Sequence, residues 1–341
     1  MLKECGVDSL TLWKIDEVGE RLNKINSMIK NWKKEEELCL NMSVYDVKEM
    51  YTSLPHKEIL GAIEWLTEKF KKKFGEFVTV LGKRAKDIKI GRKNKGDIIG
   101  IQEVVETVKM DLENSVFRCG NIMAIQTIGI PMGSPLSPAL AITTCAKAES
   151  RMMKELEGTI KFQAMRYIDD IWICTFRRTE EEEPKTKEIL KFYDRHLKVE
   201  IEREGDKVRF LDRMIVWNGM ELRSIAFNKN EESMRNEGKR KFQNILPANS
   251  YGRKEIKKAI IVGRLFRIQI GTTRLTDCFW QGWLTLMELK MLNYNLNIIR
   301  ECCGWVDARY KSDLWRFLFK CFLLVGNNYM SCPSNNFKLK G

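Results

Sequence analysis

The stretch that decides the fold is "MRYIDDIWIC", residues 165–174, two carboxylates side by side in a run of apolar, β-branched and aromatic residues. Burying charge costs several kcal/mol unless the charge is paired or binds a metal. Two β-runs meeting at Asp169-Asp170 form a hairpin with the acidic pair at its tip. A bare Asp-Asp is more often a turn or strand end than a chemical site, so its partners must be sought along the chain.

The bulk properties narrow the search. The chain has 341 residues, 44% hydrophobic and 31% charged, which suits a folded protein of about two domains. Lys and Arg number 59 against 46 Asp and Glu, a net charge of +13 that favours a polyanionic partner such as nucleic acid. The most apolar stretch, "LWRFLFKCFLLVG" at 314–326, is too short for a bilayer and carries Arg316 and Lys320. Met1 leads into charged sequence without an apolar leader, so an intracellular protein with reduced thiols is expected. Its ten cysteines lack zinc-site spacing, and His56 and His196 are the only histidines. That argues against a His-based zinc site or a His general base and leaves room for a metal held by oxygen ligands.

Coarse periodicity orders the rest. Residues 1–40 read as one or two amphipathic helices, and "LNMSVYDV" as a β-run ending at Asp46. The helix that follows is expected to be capped by Thr52 or Ser53, with Pro55 in its first turn. The basic segment 69–97 reads as projecting hairpins or loops, 98–114 as a helix, and 115–130 as a hairpin turning at Gly120-Asn121. Ser137 is placed as N-cap of a long helix with Pro138 as its first residue. Glu180–Glu183 mark a solvated loop. Three β-runs follow, with turns at Gly205 and Asn218-Gly219. A boundary is expected near 230–250, and helices run from there to Gly326; no internal repeat stands out.

Three pieces combine into a chemistry. "SVYDVKEMYTSLP" ends a strand in Asp46, "QTIGIPMGSPLSP" is a strand, glycine turn and helix start, and "YIDD" tips the hairpin. A strand ending in Asp46 laid beside that hairpin gathers carboxylates from distant sequence. Hard cations such as Mg²⁺ need such an oxygen cluster, and two of them roughly 3.5–4 Å apart serve phosphoryl transfer.

In order and context the pieces resemble motifs A, B and C of reverse transcriptases, in detail those of Penelope-like retroelements. The most specific is Gln126-x-x-Gly129-Ile-Pro-Met132-Gly133-Ser134-Pro135-Leu-Ser137-Pro138. "RYIDD" is similar to the catalytic hairpin, "DVKEMYTSLPHKE" to motif A, and "VRFLD" at 208–212 to the hairpin after the catalytic strands. "GRLFRIQIGTT" and "LNYNLNIIRECC" resemble the helical thumb, so the likeness runs from about residue 40 to 305.

The resemblance implies an α+β right-hand polymerase palm, an antiparallel sheet with packed helices, followed by an all-helical thumb. Along the chain it implies a helical N-terminal segment over 1–40, a palm with partial fingers over 41–235 (insertion about 69–125), a thumb over 250–326 and a tail over 327–341. It implies an RNA-directed DNA polymerase that extends a primer with dNTPs on an RNA template, using two Mg²⁺ ions, with Mn²⁺ as an alternative. Asp46, Asp169 and Asp170 become the catalytic carboxylates and metal ligands, with the Val47 carbonyl a further ligand. Tyr51 becomes the ring that selects dNTP over rNTP. Gln126, Met132, Gly133 and Ser134 line the nucleotide, and Phe210, Leu211 and Asp212 support the primer end. A general acid towards pyrophosphate is expected, with Lys198 and Lys207 both open. With about forty residues before motif A and no GIY-YIG motif in the sequence, truncated fingers and an endonuclease-lacking type are expected. A nuclear location and no membrane association are implied. An RNA-dependent RNA polymerase and an inactive fragment that only binds nucleic acid are the alternative readings.

Overall fold

The computed structural model describes residues 1–325 except 33–38, 83, 85, 86, 94, 178, 180–182, 184 and 194–196. Most of the acidic run Glu180–Glu183, several residues of the basic stretch 83–95, His196 and the tail 327–341 therefore lie outside the described residues. The fold is mixed, antiparallel sheets with packed helices, and it divides into two compact units. One unit comprises 1–13 and 35–205; the other comprises 14–34 and 206–341. The stretch 230–250 lies inside the second unit.

In the first unit, α1 (Leu2–Cys5) precedes β1 (Cys39–Lys48), α3 (Met50–Ser53), α4 (His56–Phe74), β2 (Phe77–Val80), β3 (Ile88–Ile90), β4 (Asp97–Gly100) and α5 (Ile101–Glu113). Then come β5 (Val116–Cys119), β6 (Ile122–Ile125), α6 (Ser137–Glu155), β7 (Phe162–Tyr167), β8 (Asp170–Arg177), α7 (Thr186–Leu190) and β9 (Lys198–Glu204). The central sheet has the order β7-β8-β1-β9, antiparallel throughout. Strand β8 buries six consecutive residues, Ile171–Phe176, which explains why its sequence is apolar without alternation. Tyr45, Val47, Ile171 and Ile173 pack with Ile59 and Ile63 of α4 and Leu140, Ala141 and Met152 of α6. Each such aliphatic side chain contributes about 1.5–3 kcal/mol by leaving water.

Short sheets carry the segment after α4. The order β3-β2-β4 makes a three-stranded sheet, and β5-β6 a hairpin turning at Gly120 with φ 61°. The helix expected from residue 98 starts at Ile101, because 97–100 pair with β2. Two caps also differ from expectation. Helix α4 takes Pro55 at its N-cap, while the Thr52 hydroxyl donates to the Glu49 carbonyl at 3.1 Å. Helix α6 is capped at Leu136, and the Ser137 hydroxyl donates to the Pro131 carbonyl. In both places the helix boundary falls elsewhere: Thr52 lies within α3, and Ser137 is already the first residue of α6.

The second unit holds α2 (Glu17–Trp32), β10 (Lys207–Phe210), β11 (Arg213–Trp217), β12 (Leu222–Ala226) and α8 (Glu231–Glu237). It continues through α9 (Lys254–Gly271), α10 (Leu275–Met291), α11 (Leu296–Tyr310) and α12 (Leu314–Val325). Val18, Leu22, Ile25 and Ile29 form one buried stripe of α2, as its spacing predicts. Asn26 of that helix pairs with the Leu222 backbone through both its amide atoms, at 2.8 and 2.7 Å. Trp283 and Leu289 of α10 pack with Trp315 and Leu318 of α12 and Ile299 and Val306 of α11. Buried Asp307 accepts from the first amides of α12, Trp315 at 3.0 Å and Arg316 at 2.8 Å, where the helix dipole favours a carboxylate. Among the described residues, no helix is long and apolar enough to cross a membrane.

Candidate active site

Strand β7 ends at Tyr167, which pairs with Asp170 at the start of β8, so Ile168 and Asp169 form a two-residue tip. Ile168 has φ 55°, a left-handed conformation that a β-branched residue rarely adopts. On the other side of β8, Asp170 pairs with Asp46 of β1, and the Val47 amide donates to the Asp169 carbonyl at 3.0 Å. Backbone pairing alone therefore brings Asp46, Val47, Asp169 and Asp170 to one end of the sheet. The three aspartates are half-buried there.

The register adds a carboxylate that sequence reasoning missed. Glu200 of β9 lies opposite Asp46, so Asp170, Asp46 and Glu200 form one row across three strands. Like charges in opposite positions repel. Two lysines answer that repulsion. Lys48 pairs with Asp46, and Lys198, opposite Lys48 in the register, pairs with Glu200. The bond to Asp46 raises the Lys48 ammonium above its ordinary pKa, and the bond to Lys198 lowers the Glu200 carboxyl. "LKVEIERE" puts Lys198 and Glu200 on one face, but nothing in the sequence says that β9 pairs with β1.

The donor chemistry, aspartate oxygens on adjacent strands, suits a hard divalent cation. Among the described residues, no group of three or more His, Cys, Asp or Glu side chains is arranged as a metal shell. The Lys48 ammonium bonds Asp46.

Tyr51 lies on α3, directly after β1. Burial, and then the negative charge of Asp169, push its hydroxyl above the usual tyrosine range. The glycine turn is pressed against the same helix. The Ile130 amide donates to the Tyr51 carbonyl at 2.5 Å, and the Gly129 amide to the Leu54 carbonyl at 2.8 Å. Gly129 has φ 88°, and a Cβ there would lie 2.6 Å from the Tyr51 oxygen and 2.8 Å from Thr52 Cα. Only glycine fits this position. Gln126 donates to the Ile128 carbonyl at 2.9 Å, and His56 Nε2 lies 2.9 Å from the Gly129 carbonyl. Met132 and Gly133 stand exposed at the turn. The Ser134 hydroxyl is committed to Asp111 of α5, at 2.9 Å, and accepts the Leu136 amide.

The remaining expected residues belong to different units. Lys198 belongs to the first unit, on the strand beside Asp46. Lys207, Phe210, Leu211 and Asp212 belong to the second. Phe210 is fully buried, and Leu211-Asp212 form the tip between β10 and β11, with Leu211 at φ 56°.

No family profile matches the chain, and no curated protein sequence matches it either. Solved structures do. Telomerase from Candida albicans, in complex with the TWJ fragment of telomeric RNA, aligns with TM-score 0.56 at 11% identity, covering 94% of this chain and 54% of that one. Apo telomerase from Candida tropicalis gives TM-score 0.51 at 14% identity, covering 98% and 57%. The Candida tropicalis enzyme with the TWJ fragment gives 0.51 at 15%, covering 93% and 46%. The chain spans about half the length of these structures. At such identities the likeness speaks for the fold alone: the chain is folded like these telomerase structures.

Proposed function

We propose that the chain is an RNA-directed DNA polymerase of the Penelope-like reverse transcriptase type, extending a primer 3′-hydroxyl with dNTPs. The observation that carries this is the pairing of Asp46 with Asp170 on neighbouring strands, with the Val47 amide on the Asp169 carbonyl. Asp46, Asp169, Asp170 and the Val47 carbonyl are the groups to hold two Mg²⁺ ions, or Mn²⁺. When bound, the ions lower the pKa of the attacking hydroxyl and stabilise the leaving pyrophosphate. The ring of Tyr51, protonated at working pH, excludes a ribose 2′-hydroxyl. Gly133, exposed beside Met132, lets the backbone approach the nucleotide, and Gln126 shapes that turn. Lys198, an ammonium on the strand next to Asp46, is one candidate for general acid, and Lys207 is the other. Phe210, Leu211 and Asp212 are assigned to the primer end and helices α9–α12 to the thumb. An RNA template, a retroelement context and a nuclear location belong to the same proposal and rest on the resemblance of the three sequence motifs to Penelope-like enzymes.

Primer extension on an RNA template, with dNTPs or rNTPs and Mg²⁺, tests the proposal. Extension with dNTPs should fall about a thousandfold in Asp169→Asn, the several kcal/mol of charge stabilisation that metal ions supply. A preference for rNTPs would make the chain an RNA-dependent RNA polymerase. Template binding without extension, indifferent to Asp169→Asn, would make it a binding fragment.

A further inference from the structure

Beneath the Ile168-Asp169 tip lies a charged network that the reaction does not use directly. Arg166 on β7 and Glu149 on α6 are both fully buried and paired through the guanidinium Nε, with a second contact from Nη2 at 3.3 Å. Arg166 Nη2 also donates to the Thr11 hydroxyl at 2.9 Å, and Nη1 donates to the Ile168 carbonyl at 3.0 Å. Glu149 accepts further from the Tyr193 hydroxyl at 2.5 Å and the Leu10 amide at 2.9 Å. No polar side-chain atom of Arg166, Glu149, Tyr193 or Thr11 is left buried without a partner. Burial works against the Arg166 charge, but Glu149 outweighs it and holds the guanidinium above its ordinary pKa.

A buried ion pair is a poor way to gain stability, since apolar residues of like shape often serve as well or better. What apolar residues cannot do is hold a carbonyl. Ile168 is left-handed, and the two carbonyls of the tip are each held: that of Ile168 by Arg166, that of Asp169 by the Val47 amide. The second unit repeats the motif. Arg209-Phe210-Leu211-Asp212 matches Arg166-Tyr167-Ile168-Asp169, and Arg209 Nε donates to the carbonyl of left-handed Leu211 at 3.4 Å. Only the first copy adds a buried carboxylate, Glu149, supplied by the helix that begins three residues after Ser134.

We propose that Arg166, anchored by Glu149, is a positioning residue that fixes the left-handed tip carrying Asp169 and ties it to the helix behind the Met132–Ser134 turn. This deepens the polymerase reading and rests on it for its catalytic meaning. The test is the double variant Arg166→Met/Glu149→Leu in the full chain, which removes both charges and keeps the volume. The variant leaves the buried Tyr193 hydroxyl and Leu10 amide without their acceptor, so it should fold but melt several degrees below the parent. Hydrogen exchange at the Val47 amide should accelerate about tenfold or more, and Mn²⁺ affinity should fall several-fold. In extension, kcat should fall while KM for dNTP holds. A folded double variant with unchanged Val47 exchange and Mn²⁺ affinity would overturn the proposal. Should it fail to fold, Tyr193→Phe takes one bond from Glu149 and is read the same way, with a two- to threefold rise in Val47 exchange expected and no rise overturning it. Val47 exchange does not depend on turnover. A parent chain that extends no primer therefore sinks the polymerase reading, while the exchange data still decide the role of Arg166.

Discussion

Replacing Gly129 by alanine puts the packing of the site to its hardest test. The residue sits at φ 88°, where a Cβ costs about 1 kcal/mol. That Cβ would also lie 2.6 Å from the Tyr51 oxygen and 2.8 Å from both Thr52 Cα and Gln126 Nε2. Two of these are backbone atoms, held by the Ile130 and Gly129 hydrogen bonds, so relief requires the turn to move off α3. Such overpacking costs about 1–3 kcal/mol, for a total of about 2–4 kcal/mol. In a unit of this size each kcal/mol lowers Tm by about 2–4 °C, so the first unit should melt about 5–15 °C earlier. Gly133→Ala is the control. No atom lies within 4 Å of its added Cβ, and its φ is not positive. Calorimetry and urea denaturation of parent and both variants decide the matter. Gly129→Ala melting with the parent, or Gly133→Ala being equally damaging, would refute the packing argument.

Two further outcomes follow from the site's charges. Burial pushes the Cys145 thiol up to about 11, against 9.0 for a free thiol. The unfolded chain therefore sheds its proton first, and about 2–3 kcal/mol of stability should be present below pH 9 and lost between pH 9 and 11. Urea midpoints across that window should fall less steeply in Cys145→Ala, and equal slopes would exclude this thiol as the cause. Lys48→Met removes the ammonium that now neutralises Asp46, so the Mg²⁺ concentration giving half-maximal extension should drop several-fold. An unchanged or higher Mg²⁺ requirement would show that Lys48 does not compete for that carboxylate.

The pieces of this site were legible in sequence because each rests on local chemistry. Gly120-Asn121 and Gly205 turn the chain, β8 is apolar because both its faces are buried, and the strand that carries Asp46 is visible from its own residues, although it runs on to Lys48 instead of ending at Asp46. The cap assignments at Thr52 and Ser137 failed because of where the helices begin: Thr52 lies within α3, Pro55 caps α4, and Ser137 is already the first residue of α6. Tertiary structure alone decided who stands beside whom. Strand β9 pairing with β1 puts Glu200 and Lys198 next to Asp46, and α6 packing behind β7 puts Glu149 against Arg166. Neither partnership leaves a trace in the spacing of residues. Strand order and helix docking are set by which apolar faces bury each other most completely, a property of the whole core and not of any segment.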